Sequence, residues 1–182
     1  RRPDTPMGPN AVKAAKLTRK VTGRFGFDDD VAEVFVALAA ALAEAHRSYE
    51  AGGMPIGAAI ADPSGAVVLG AHNRMLFPSG GITSHAELNA MRDLDVPDLT
   101  GYSMLTTMPP CWMCGGAVRQ FRLSRLYVVR QPYDSGSAEW LDGTDAVPVE
   151  IERVESPEAV ELFERWRVAN PDLWPNPPLD TR

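Results

Sequence analysis

Apolar residues Val31, Val34, Phe35, Leu38, Ala39 and Leu42 recur at intervals of three and four, the spacing of a single helix face. Asp28, Asp29 and Asp30 precede them, where the positive end of a helix dipole favours carboxylates, and Gly52-Gly53 supplies a stop. The pattern then changes. Ile56 to Ala61 and Ala66 to Ala71 are short apolar runs on either side of Asp62-Pro63-Ser64-Gly65, which predicts a hairpin. His85 should open a second helix through about Asp93; Tyr102 to Thr107 reads as a buried strand, and Cys111 to Phe121 as a helix. Leu126 to Arg130 and Val147 to Val154 are two further strands. Pro157 to Ala169 is an amphipathic helix with proline at its start. This alternation predicts an α/β fold, a three-layer sandwich with five strands.

The ends read differently. Residues 1–27 combine turn formers with Arg1, Arg2, Lys13, Lys16, Arg19 and Lys20, and are expected to form an arm; residues 28–182 form one domain without internal repeats. From Asn170 onward the chain carries Pro171, Pro175, Pro177 and Pro178, which predicts an extended, irregular tail on the surface.

Composition narrows the class. In 182 residues, 45% are hydrophobic and 23% charged, as in an ordinary globular protein. No apolar run reaches membrane-spanning length, and no apolar stretch of a secretory signal follows the basic residues at the start. The formal net charge is −6, and the basic residues are scattered apart from the first twenty positions. A folded nucleic acid calls for a basic stripe, so a small neutral or cationic substrate is favoured.

The densest chemistry lies in His85-Ala86-Glu87 and Pro110-Cys111-Trp112-Met113-Cys114. One imidazole and two thiolates, from His85, Cys111 and Cys114, meet the needs of a catalytic zinc that keeps three protein ligands and leaves a fourth position for water. Two thiolates donate much negative charge, so the metal alone should acidify its water less than an all-histidine site would, and a local base is needed. Glu87, two residues after His85, is placed to take the water's proton, pass it to a ring nitrogen and later protonate a departing amine. Its carboxylate would work best if partly desolvated, with a pKa raised towards neutrality. The order His-x-Glu then Pro-Cys-x-x-Cys is the arrangement of the zinc deaminases. A closed structural zinc site would need His46 or His72 as a fourth ligand, and a redox pair would leave His85 and Glu87 unexplained. Otherwise His72 reads as structural and His46 as a helix-surface residue. With both cysteines assigned to one Zn2+ per chain, a reducing, cytoplasmic setting follows.

From roughly Asp28 to Trp174 the chain resembles the cytidine deaminase-like superfamily, and within it the fungal-type cytosine deaminases, with guanine deaminases and tRNA adenosine deaminases as relatives. Besides the zinc motif, the likeness rests on Gly53-Met54-Pro55-Ile56-Gly57, Leu69-Gly70-Ala71-His72-Asn73, Leu105-Thr106-Thr107 and the tail Asn170-Pro171-Asp172-Leu173-Trp174. The resemblance implies a five-stranded mixed sheet with helices on both faces, and a homodimer. It implies that Asn73, assisted by the backbone N–H of Ala86, hydrogen-bonds the ring of an amino-heterocycle; an asparagine in this place would otherwise cap a turn. It implies that Ile56 floors the pocket, and that Tyr133 and Trp174 sandwich the substrate ring beneath a C-terminal lid.

The chain departs from the cytosine deaminase pattern at the mouth of that pocket. Pro177 stands where an acidic residue is expected three positions after the tail tryptophan, with Asp172, Asn176 and Asp180 as substitutes; Tyr133 stands for a phenylalanine, Pro109 for a small polar residue, and a bulky Trp112 lies between the cysteines. The expectation is therefore hydrolytic deamination of a small free amino-heterocycle, cytosine-like or an analogue. Guanine or tRNA adenosine as substrate, and a catalytically silent zinc protein that binds a ligand or partner, are the alternatives.

Overall fold

The computed structural model describes residues 29–133, 137, 141 and 148–174. The proposed arm over residues 1–27, and Asn176, Pro177 and Asp180, lie outside the described residues.

Helix α1 spans Asp29–Glu50. Its end is a Schellman motif: the Gly52 N–H reaches Tyr49 O at 2.9 Å, the Gly53 N–H reaches Ser48 O at 2.8 Å, and Gly52 takes φ +81°. The chain then enters β1 (Gly57–Ala61), turns through Asp62 to Ala66 and returns as β2 (Val67–His72), the expected hairpin. In the turn, Asp62 Oδ1 accepts from the N–H groups of Ser64 and Ala66, and Gly65 sits at φ +77°. Helix α2 covers Ala86–Leu94, β3 Ser103–Thr106, α3 Trp112–Gln120, β4 Arg125–Val129, β5 Glu150–Val154 and α4 Pro157–Ala169. Ser156 caps α4, its hydroxyl accepting from the Ala159 N–H.

The strands form one mixed sheet in the order β2-β1-β3-β4-β5. Strand β1 runs antiparallel to both β2 and β3, whereas β3, β4 and β5 run parallel to one another. Register places Ala58 opposite Thr106, and Ser103 opposite Arg125.

Alternate strand residues face two separate apolar layers. Ala58, Ile60, Met104, Leu126 and Val128 pack with Ala86, Ala90 and Met91 of α2 and Val118 of α3. Ala59, Ala61, Leu105, Tyr127 and Val129 pack with Val36, Ala37 and Ala41 of α1 and Ala159 of α4. The fold is thus the expected three-layer α/β/α sandwich. Small side chains set the spacing on the α1 side: a methyl group at Gly57 would lie 2.0 Å from Ala41 O, so β1 starts against the helix backbone itself. At the far edge β5 alternates Glu150, Glu152 and Arg153 with Ile151 and Val154, and its charges oppose edge-to-edge pairing.

Candidate active site

Chemistry-bearing residues gather at one end of the sheet, where β1 begins and β2, β3 and β4 finish. His85 is the N-cap of α2 and Cys111 the N-cap of α3, both in extended backbone conformation, so two helix starts point their side chains at one place. His85 Nδ1 lies 3.5 Å from Cys111 Sγ and 3.5 Å from Cys114 Sγ, and the two sulfurs are 3.5 Å apart. Bonds of about 2.3 Å to sulfur and about 2.0–2.1 Å to nitrogen in a tetrahedron put the donor atoms about 3.5–3.8 Å apart, so the triangle fits zinc.

The three groups of the triangle compete for protons. The Cys111 thiol is drawn down to about 4, first by its hydrogen bond with Cys114 and then by His85, against the opposing effect of burial. Cys114, the more buried, is pushed up because it shares its proton with Cys111. Contact with Cys111 raises His85. Three donors that contend for protons in this way can shed them together to a dication. Among the described residues these are the one group of three potential ligands close enough to share an ion.

Glu87 occupies the first turn of α2 and is only 3% exposed. Burial pushes its carboxyl from 4.5 to about 7, while its own backbone N–H and nearby His85 oppose the rise; Cys111 adds to it and contact with Cys114 lowers it. A carboxyl at that value holds and releases a proton with equal ease near neutrality. Ala86, the first helical residue, is fully buried, and its N–H belongs to the set of α2 donors that have no intrahelical acceptor.

The loop bearing the cysteines is tied to the sheet. Thr107 donates its N–H to Gly57 O at 3.0 Å and accepts the Gly57 N–H on Oγ1 at 3.0 Å, and Gln131 Nε2 donates to Thr107 O at 2.8 Å. The Ser137 hydroxyl donates to Pro110 O.

Asn73 is 2% exposed and follows β2 directly. Its N–H donates to Ile56 O at 2.9 Å, and its Oδ1 accepts the Met75 N–H at 2.9 Å. The amide therefore caps a turn, and among the described residues its NH2 group has no hydrogen-bond partner. Ser48 Oγ, at the end of α1, lies 2.6 Å from Met54 O and 3.0 Å from Asn73 O and so joins three segments. Ile56 is buried beside the start of β1.

Tyr133 and Trp174 come together, though not as parallel walls. Their ring centroids are 6.1 Å apart with planes at 81°, and Trp174 meets Phe163 at 5.1 Å and 83°. Edge-to-face contact leaves no slot between the two rings, so the expected sandwich is not what they form here. Apolar packing on Phe163 of α4 turns them, and the Tyr133 hydroxyl is held by Glu164 Oε2 at 2.8 Å. Arg167, and then Tyr133, lower Glu164 to about 2. Of the substitutes for the missing acid, Asp172 is exposed.

The two other histidines are outside the triangle. His72 Nδ1 pairs with the buried Glu44 at 2.7 Å, and His46 pairs with Glu158 of α4 at 2.8 Å. Asn89, Gln131, Ser48 and Ser137 support the site without having been picked out from sequence; the one hint was the position of Asn89, one helical turn after His85.

Residues 32–130, more than half of the chain, match the family described as the cytidine and deoxycytidylate deaminase zinc-binding region. Among curated relatives, a cytosine deaminase of Candida albicans is 27% identical over 140 residues, covering 75% of this chain and 91% of its own length. A tRNA(Ile)-lysidine synthase of Deinococcus deserti is 34% identical over 94 residues, but those make up half of this chain and only 17% of the synthase. A solved structure from work on A-to-I editing by tRNA:A34 deaminases superposes with a TM-score of 0.57 at 25% identity, covering 68% of this chain and 99% of that one. A guanine deaminase of Nitrosomonas europaea shares the fold, with a TM-score of 0.54 at 22% identity over 73% of this chain and 84% of that one. With a His-Cys-Cys triangle of zinc dimensions and a buried carboxyl at the sheet end, the chain belongs to the cytidine and deoxycytidylate deaminase zinc-binding family.

Proposed function

We propose that this protein is a zinc-dependent aminohydrolase that replaces the amino group of a small free heterocycle with oxygen and releases ammonia. One observation carries the reading: a fully buried carboxyl, Glu87, poised near neutrality two residues from a His-Cys-Cys triangle of zinc dimensions. His85, Cys111 and Cys114 would hold the ion, which when bound supplies an acidified water at its open position. Glu87 takes a proton on its carboxylate, delivers it to a ring nitrogen of the substrate, and carries a second to the departing amine. The Asn73 NH2 donates to a ring carbonyl or ring nitrogen, and the Ala86 N–H adds a second donor. Ile56 floors the pocket, and Tyr133 with Trp174 closes one side as an edge-to-face pair.

A cytosine-like base is the preferred class, supported by the fungal cytosine deaminase that aligns over most of its length. A tRNA adenosine substrate draws on the likeness to tRNA deaminases, yet the net charge of −6 disfavours a folded nucleic acid. The homodimer belongs to the same reading. Ile82 at 83% exposure, with Trp112, Met113 and Phe121 also exposed, offers apolar surface around α2 and α3 for a second copy. Ammonia release from a panel of cytosine, guanine, aminopyrimidines, aminotriazines, their nucleosides and tRNA tests the reading. A free base is expected to give the highest kcat/KM; preference for a nucleoside or tRNA refutes the small-ring assignment, and no release from any of them refutes the enzyme.

A further inference from the structure

Asn89 lies on α2, one turn beyond His85 and two residues beyond Glu87, and it is completely buried. Its side-chain NH2 uses both hydrogens on main-chain carbonyls from two different segments: His72 O at 2.8 Å and Ser84 O at 3.2 Å. His72 precedes Asn73, and Ser84 precedes His85. One amide group therefore joins the residue before the ring-binding asparagine to the residue before the histidine ligand. The orientation of the amide is fixed by chemistry, since two carbonyl acceptors require the nitrogen.

The same two segments touch once more, through the Arg74 N–H on Ser84 O at 2.8 Å. Between them runs a tight loop, in which a methyl group on Gly80 would lie 1.6 Å from Arg74 O. The backbone of Asn89 also donates to His85 O at 2.9 Å, so side chain and main chain grip the approach to the metal ligand together.

The other end of the amide has the opposite character. Asn89 Oδ1 is buried and, among the described residues, has no hydrogen-bond partner. A position needed only to fill the layer between α2 and the sheet would be better served by an apolar side chain, which leaves no acceptor unpaired. The arrangement favours the two donated bonds over the fit of the oxygen.

We infer that Asn89 is a positioning residue, which sets the separation between Asn73 and His85 by clamping the end of β2 to the loop that enters α2. The part concerning Asn73 rests on the proposed ring binding, and the part concerning His85 on the proposed zinc binding alone. Residues that orient metal ligands from behind commonly change metal affinity or activity by about 10–100-fold when altered.

The test uses the zinc-loaded protein with Asn89→Asp, which keeps the shape but faces both carbonyls with oxygens. Met91→Ala, a core truncation on the same helix, is the control for simple loss of stability. Transfer of zinc to a chromogenic chelator is expected to be at least about tenfold faster in Asn89→Asp than in Met91→Ala. On the best substrate of the panel KM is expected to rise severalfold beyond that of the control. Should Asn89→Asp fail to fold, Asn89→Ser, too short to span both carbonyls, carries the same measurement. Zinc release and KM equal to those of Met91→Ala at a matched melting temperature would overturn the inference and leave Asn89 as packing. If no substrate of the panel is turned over, the proposed function fails, and the chelator experiment still decides the role of Asn89 toward His85.

Discussion

Replacing Glu87 by glutamine separates what this carboxyl does for the reaction from what it costs the fold. The folded-state value of about 7 stands above the ordinary 4.5, chiefly through burial. A tenfold change in a protonation equilibrium is worth 1.36 kcal/mol, so above neutrality the ionised group destabilises the fold by an amount on the order of 3 kcal/mol. For a raised acid the direction is fixed. Below pH 4.5 both states hold the proton and there is no penalty; it grows as the unfolded chain ionises and is complete once pH passes the folded value. Glutamine cannot ionise, so Glu87→Gln should unfold at the same denaturant concentration as wild type near pH 4.5 and at a higher one near pH 8. A bound zinc attracts the carboxylate and works against this gain, so the two proteins are compared at equal zinc content. Turnover should move the other way. General acid–base help is worth about 10²–10⁴, so kcat should fall at least a hundredfold, with zinc content unchanged. Urea titrations at both pH values beside ammonia-release kinetics make the comparison. Near wild-type turnover, or a variant that is less stable than wild type at pH 8, would refute the assignment of Glu87 as a buried proton carrier.

Three further outcomes follow from the geometry. Purified protein should contain about one zinc per chain by elemental analysis, and Cys114→Ser should lose most of it, because a hydroxyl does not replace a buried thiolate in the triangle. Gly57→Ala should destabilise the fold by about 3 kcal/mol or more, or prevent folding, since the added methyl meets Ala41 O at 2.0 Å; chemical denaturation measures it, and a loss below about 1 kcal/mol would mean that α1 can retreat from β1. Tyr133→Phe removes the hydrogen bond to Glu164 and should lower stability by about 1–2 kcal/mol in urea; an unchanged midpoint would show that Arg167 alone satisfies that carboxylate.

The sequence was most legible where chemistry restricts residue type. Zinc ligation leaves few choices of residue type, so the meeting of His85, Cys111 and Cys114 could be expected although 26 and 29 positions separate the histidine from the thiols. Helix α4 begins and ends where the proline and the apolar spacing place it. Strand ends were read less closely. An apolar run suggests β5 from Val147, yet it starts at Glu150, because pairing with Arg125 decides where the ladder begins. Ser48 left no mark and Asn89 only its place one turn after His85, since a side chain that bonds a main-chain carbonyl 17 or 25 positions away is independent of the residue type it meets. Tyr133 and Trp174 were expected, from the resemblance, as two walls about a substrate ring; the 81° between their planes depends on their contacts with Phe163, which no local pattern encodes.

The mixed sheet also divides the molecule by tolerance to change. Every residue given a chemical part lies toward the end where β1 begins and β3 and β4 finish, whereas the turn through Asp62 to Gly65 lies at the other end and is closed by its own side chain and one glycine. Extra residues inserted there would lengthen a hairpin tip without crossing the path from α1 to Asn73, or from α2 to the thiols. That tip is the natural place to graft a tag, a tether or a second module onto this scaffold, and a chain lengthened there should keep the His85, Cys111 and Cys114 triangle and the burial of Glu87.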